Sequence, residues 1–480
     1  MSGPGARFTL PGVRGAGRGL VLATALAACD APADREPAPG PGPASADTQG
    51  IASETPGDSG WTLLGRLPRG AEEVTLTFGP RAVHALWVAE TAAGRALFQA
   101  ALPGGATDTL LAGWATLRSP RLAASNAHGF VAAIVGSPSR SDEPSVRAAT
   151  VREGPLPRAL SGDIDPTGPA AVVVDREDAA IFAWPTGAGT RIAFGMTPEH
   201  APFEIPFCCD ADLALAVDGD GSIVLAGAVE GEGLSTMTVL PADDGAFDVP
   251  DSRAAATADG GARYVLAGPP GEGSVYVVYC GGTATCDGVR AWRHGARPNE
   301  PAIYLAPVPG RVTALAAAAT DDGRLWGAWT DTDSVRAVRT ARAGAPRAGG
   351  RVAAPLPAPG APPLALAAAA ADGALRVIVA GREGDAVAIR ERLLLPGLTV
   401  MPPALPPPLD VDARLRLVVE DAGEPVAGAR VRALGAEATT DARGAVELPL
   451  AAGVRTDTLP VHVEAPGYTP LETLFHAERP

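Results

Sequence analysis

Short apolar runs alternate with polar turns through most of this chain, most clearly in TALAAAATDDGRLWGAWTDTDSVRAVRTAR, from Thr313 to Arg342. That stretch holds an apolar run, a turn at Asp321-Asp322-Gly323, a second apolar run, a turn at Asp331-Thr332-Asp333 and an alternating third run. Runs this short, bounded by turn residues, predict strands, and three in succession predict an antiparallel meander. The middle run recurs as VHALWVA from Val83, GFVAAIV from Gly129, AAIFAW from Ala179, SIVLAGA from Ser222, SVYVVYC from Ser274, RLWGAWT from Arg324 and ALRVIVA from Ala374. Successive starts lie about 43 to 52 residues apart, a period typical of units that bury their faces only against neighbours.

Seven such units between residues 60 and 398 predict a seven-bladed β-propeller in an all-β chain. Trp61-Thr62-Leu63-Leu64-Gly65 precedes the first full unit and suits the outer strand of the last blade, which would close the ring and remove a free edge. The runs Leu213 to Val217, Thr313 to Ala319 and Leu364 to Ala371 are rich in alanine, and propensity alone favours helix there. Gly or Asp-Gly turns bound each run too closely for a helix stable on its own, so strands are expected, with small side chains suited to crowding about an axis. Trp87, Trp184, Trp326 and Trp329 lie in or near the repeated middle run, a position that favours packing between blades over a stacking platform for sugars.

The ends of the chain differ from this body. Residues 1–28 have the parts of a secretory signal, with Arg7, Arg14 and Arg18 ahead of the short apolar stretch Leu20 to Ala28. The stretch runs into Leu26-Ala27-Ala28-Cys29, which resembles the lipobox of bacterial lipoproteins. The resemblance implies that Cys29 is diacylated and becomes the N-terminus, anchoring the protein to a membrane. Residues 29–59, rich in Pro, Gly, Ala and Ser, have almost no large apolar side chain and are expected to form a disordered tether. Residues 399–410, TVMPPALPPPLD, are expected to form a stiff hinge. Beyond it, in residues 411–480, Leu415, Leu417 and Val419 alternate with Arg414, Arg416 and Glu420, the pattern of a half-buried strand. DAGEPVAGARVRA from Asp421, TTDARGAVELPL from Thr439 and VHVEAPGY from Val461 together resemble the carboxypeptidase regulatory-like family. That resemblance implies a small prealbumin-type β-sandwich serving as an accessory module.

Composition narrows the function classes. With 58 Gly and 48 Pro among 480 residues, and 46% apolar content, the chain suits many turns and short strands around a large core. The formal charge of −15, without a basic stripe, argues against a nucleic-acid partner. His84, His128, His200, His294, His462 and His476 are scattered without zinc-ligand spacing, and no GxSxG elbow, Walker loop or dinucleotide fingerprint occurs. No cofactor, metal or catalytic residue is therefore assigned. Asp210, Asp212, Asp218 and Asp220 lie close together, but Ser222, Ile223 and Val229 break the EF-hand pattern, and Asp218-Gly219 and Asp220-Gly221 match hairpin turns in sister units.

Four cysteines besides Cys29 remain in a chain expected to reach an oxidising compartment. Cys280 and Cys286 flank the short loop GGTAT, whose glycines allow the reversal a disulfide needs, leaving Cys208 and Cys209 either vicinally bridged or free. The function expected is that of a lipid-anchored protein of the bacterial envelope, periplasmic or surface-exposed, that binds or scaffolds a protein or glycan without catalysis. The alternative is a glycan-acting hydrolase or lyase with carboxylates drawn from Asp163, Asp165, Glu199, Glu204, Asp210 or Asp212, which would have to meet as a pair.

Overall fold

The computed structural model describes residues 52–53, 60–150, 158–160, 166–195, 202–205, 212–229, 233–239, 251–253, 263–269, 271–281, 286–295, 302–308, 311–342, 347–401, 414–449 and 458–476. Residues 1–28 and Cys29 lie outside them, as does all of the expected tether except residues 52–53. All regular structure among the described residues is β-strand.

Seven antiparallel sheets follow one another between Thr62 and Leu394. Their first strands are Glu72–Phe78, Thr116–Ser125, Ala171–Val174, Leu213–Val217, Arg263–Ala267, Ala314–Ala319 and Ala365–Ala371. Each packs against the first strands of the sheets before and after it, and Ala365–Ala371 packs against Glu72–Phe78, so the order closes in a cycle. The seventh sheet takes its fourth strand, Thr62–Leu67, from the start of the body, where it pairs antiparallel with Ala386–Leu394. This joins the two ends of the repeat by backbone hydrogen bonds and covers the edge that Ala386–Leu394 would otherwise leave.

The second strands explain why the repeated runs are apolar throughout rather than alternating. In Val83–Thr91 the side chains of Ala85, Trp87 and Ala89 pack with Ile378, Ala380 and Ile389 of the seventh sheet. Leu86 and Val88 point the other way and pack with Phe130, Ala132 and Ile134 of the second sheet. Both faces of each sheet are covered, so both registers of the strand must be apolar. Trp87, Trp184, Trp326 and Trp329 are fully buried in these interfaces, where each large apolar side chain contributes roughly 1.5–3 kcal/mol. They are packing residues and offer no face to a sugar.

The alanine-rich runs are strands, and in Ala365–Ala371 every position is half-buried. Tertiary pairing overrides helix propensity, because Asp372-Gly373 turns the chain back at once. Both residues there have positive φ, 47° and 79°, the conformation that Asp-Gly adopts in a tight hairpin.

Residues after 394 form two further sheets around one apolar cluster. Arg414–Asp421 pairs with Thr399–Met401, Glu424–Pro425 and Ala445–Pro449. Arg430–Ala433 pairs with Ala436–Thr439 and Thr458–Glu464, which pairs in turn with Leu471–His476. Leu415, Leu417 and Val419 meet Val431, Val461, Val463 and Phe475 in the shared core.

Two boundaries differ from the composition-based expectation. Thr399–Met401, assigned to the hinge, is a strand of the C-terminal module, and Leu398 is buried in its core. Leu398 and Val400 supply apolar contacts before the proline run starts at Pro402, so the module begins ahead of its prolines; residues 402–413 lie outside the described residues. Ala52–Ser53, assigned to the tether, pairs in parallel with Val352 and Ala353 and adds a fifth strand to the sixth sheet.

Candidate functional site at the strand mouths

Of the six carboxylates considered for catalysis, Asp163, Asp165, Glu199 and Asp210 lie outside the described residues. The other two are not brought together. Glu204 sits on Phe203–Ile205, the last strand of the third sheet, and pairs with Arg191 at 3.2 Å. Asp212 stands at the start of the first strand of the fourth sheet, on the inner ring. Asp218 and Asp220 belong to the hairpin turn that follows. Asp220 accepts a hydrogen bond from the Ser222 amide at 2.9 Å, and Asp218 accepts one from the Val275 amide of the fifth sheet at 2.9 Å. Cys280 and Cys286 are both buried and joined by a disulfide, with Cα atoms 5.4 Å apart. Cys208 and Cys209 lie outside the described residues.

Asp212 meets side chains from the second and fifth sheets. Arg121, on the first strand of the second sheet, reaches across to it at 3.5 Å, and both side chains remain exposed, at 41% and 59%. The Tyr264 hydroxyl, from the fifth sheet, donates to the Asp212 carbonyl. Arg263 donates to the Thr313 carbonyl of the sixth sheet at 2.5 Å and lies within electrostatic reach of both Asp212 and Arg311. Partial burial, then the neighbouring Arg311, lower the Arg263 guanidinium from its ordinary value, while Asp212 works in the opposite direction. Among the described residues Arg121 is the guanidinium that pairs with Asp212, and Arg263 donates to a backbone carbonyl instead. The nearby Glu72, Glu73 and Glu90 are already engaged by Arg95.

A second cluster occupies the other end of the strands. Arg324 opens the second strand of the sixth sheet and Arg339 ends its third, whereas Arg263 and Arg311 lie at the starts of first strands. Arg324 and Arg339 both bind Asp421 of the C-terminal module, and Arg324 also binds Glu424 and Asp322. Asp322 takes Arg342 as well, at 3.4 Å. Arg339 further donates to the Gly373 carbonyl at 2.9 Å and lies over the rings of Trp326 and Tyr468. Asp421 is 1% exposed, Arg324 5% and Arg339 8%. Burial, with Asp421 beside it, raises the Tyr468 phenol from its ordinary value. Here three guanidiniums meet three carboxylates, and the group is closed.

The backbone seals the same seam. Gly397 bridges both Gly350 and Thr469, and a Cβ on Gly397 would fall 2.4 Å from the Gly350 carbonyl oxygen. Thr469 donates its amide to Pro396 at 3.0 Å and its hydroxyl to Leu395 at 2.9 Å. Residues 49–480 accordingly form one compact unit.

The cyclic order of the sheets makes the body β-propeller-like. No protein-family model matches the chain. No curated protein matches it either. Solved structures that overlap it include YCF48 from Cyanidioschyzon merolae, at 14% identity over 69% of this chain and 98% of that one, with a TM-score of 0.42. The BP39L lectin from Burkholderia pseudomallei overlaps at 17% identity over 67% of this chain and 94% of that one, with a TM-score of 0.40. TolB from Acinetobacter baumannii overlaps at 9% identity over 57% of this chain and 67% of that one, with a TM-score of 0.34. At these values the overlaps carry no argument about function.

Proposed function

We propose that this protein is a lipid-anchored component of the bacterial envelope that binds or scaffolds a protein or glycan ligand without catalysing a reaction on it. In this reading the seven sheets are the blades of one propeller, and the C-terminal sheets are a carboxypeptidase regulatory-like sandwich. Cys29 carries the anchor, and the segment between it and the body sets the distance from the membrane. The observation that carries the proposal is the closed ion cluster at Asp421. It fixes the accessory module to the hairpin end of the sixth sheet and leaves the starts of the inner strands uncovered by that module. A rigid two-part body with one open charged end suits presentation and binding. Glu204 and Asp212, each paired with an arginine and set on an outer and an inner strand, give no acid–base couple.

The test combines fractionation with binding. Full-length protein should partition with membranes, Cys29→Ser should move it to the soluble fraction, and the wild type should retain a defined envelope protein or glycan in a pull-down without altering it. A mature form that keeps residues ahead of 29, or turnover of a retained glycan, would overturn this reading.

A further inference from the structure

Two imidazoles are buried between neighbouring sheets, and their surroundings differ in kind. His294, 8% exposed, has a threonine hydroxyl at each ring nitrogen, Thr236 at 3.0 Å and Thr238 at 2.7 Å. His84 is buried to the same extent, yet its Nδ1 has no hydrogen-bond partner. It lies near the start of Val83–Thr91, and its ring meets Phe130 of the second sheet with centroids 5.3 Å apart. Two glycines shape the notch that holds it. A Cβ on Gly79 would fall 2.7 Å from the His84 Cδ2, and one on Gly129 of the second sheet 3.3 Å from its Cε1.

Among the described residues no counter-charge pairs with this ring. The elements packed around it carry Arg81 in its own hairpin turn, His128 in the turn of the second sheet and Asp108 on the last strand of the first sheet. Arg81 and Asp108 are exposed, and Asp108 is bound by Gln99. Asp178, which holds the turn of His128, is taken by Ser125, Asn126 and Ala127. Burial acts on His84 unopposed and lowers its pKa from the ordinary value. A neutral imidazole suits such a notch, because its proton can sit on Nε2 and leave Nδ1 a bare acceptor. The imidazolium carries N–H at both nitrogens, so charging the ring buries a donor without an acceptor and a cation without an anion.

We propose that His84 is an acid-sensitive catch between the first and second sheets, closed while the ring is neutral and loosened when the surroundings acidify. The unfolded chain takes up a proton near pH 6.5, whereas the folded chain resists it until the pH is lower. The catch therefore contributes fully above about pH 6.5, and its contribution is lost progressively as pH falls from there towards the folded value.

The test compares urea unfolding of the full-length protein in detergent with that of His84→Phe and His84→Gln, between pH 7.5 and 5. From pH 6.5 to 5.5 the wild-type unfolding constant should rise about fivefold more than that of either variant, as the unfolded imidazole completes its protonation. Hydrogen exchange, corrected for its intrinsic pH dependence, should show Phe130 to Ile134 losing protection at pH 5.5 relative to Leu325 to Thr330 of the sixth sheet. In wild-type protein with labelled histidine, the imidazole signal in contact with the Phe130 ring should titrate below pH 6.5, a readout that needs no variant to fold. Parallel stability profiles in wild type and variants, or titration of that signal at or above pH 6.5, would overturn the catch. Profiles that differ while Phe130 to Ile134 keep their protection would overturn this interface as the part that loosens.

Discussion

Asp421 and Asp212 each pair with arginine, at opposite ends of the strands of the same body. Asp421 is buried and its arginines are shared with Glu424 and Asp322, so charge is balanced inside the protein. Asp212 is 59% exposed in its side chain, and so is much of its partner Arg121, at 41%. The same residue types therefore do different work according to burial and balance. A desolvated, closed cluster fixes two modules in one geometry, because removing any member leaves an uncompensated charge. An exposed pair adds little to stability, because solvent screens it.

The largest expected effect lies at the closed cluster. Asp421→Ala leaves Arg324 and Arg339 buried without their shared carboxylate and should cost about 3–5 kcal/mol, read as a lower denaturant midpoint. An unchanged midpoint would break the comparison on its buried side. Gly397→Ala is expected to cost about 1–3 kcal/mol, because the added methyl meets the Gly350 carbonyl and must push the module away from the body. Hydrogen exchange at the Thr469 amide should then speed up, and unaltered exchange would show that the seam tolerates displacement.

A third carboxylate gives an intermediate case. Asp178 accepts hydrogen bonds from the Ser125 hydroxyl and from the amides of Asn126 and Ala127, stapling the third sheet to the second. Burial works to raise its carboxyl, but these hydrogen bonds prevail and hold it below the ordinary value. Because the folded pKa is depressed, the staple's contribution is fully present above the unfolded value of about 3.9 and is lost as pH falls through the lower folded value. Asp178→Asn should therefore flatten the stability profile below about pH 4 and leave the slope above pH 5 unchanged. Equal slopes below pH 4 in variant and wild type would contradict the staple. The smallest effect belongs to the exposed pair, where Asp212→Asn should shift stability by no more than about 0.5 kcal/mol.

Legibility from sequence follows the same division. The repeated second strands were plain because both of their faces are buried, which leaves uninterrupted apolar runs between Gly and Asp turns. The start of the C-terminal module was not, because two apolar residues, Leu398 and Val400, carry less compositional weight than the prolines that follow. Asp421-Ala422-Gly423 has turn composition and does turn the chain, and nothing in that pattern marks the Asp421 carboxylate as the hub of the docking cluster. One signal was there to find: Arg324 heads its apolar run where the sister units have Val83, Gly129, Ala179, Ser222, Ser274 and Ala374. A charge at a repeat position that is otherwise uncharged marks a special partner. Arg121 and Asp212 carried no such mark, since they come from two units and meet only when the ring closes.

Thermal unfolding of the wild type, Asp421→Ala and Asp212→Asn tests the division of labour most directly. The account predicts that Asp421→Ala lowers the midpoint, because it leaves two buried guanidiniums without their shared carboxylate, whereas Asp212→Asn keeps that of the wild type. Equal midpoints in the two variants, or an unaltered midpoint in Asp421→Ala, would contradict it.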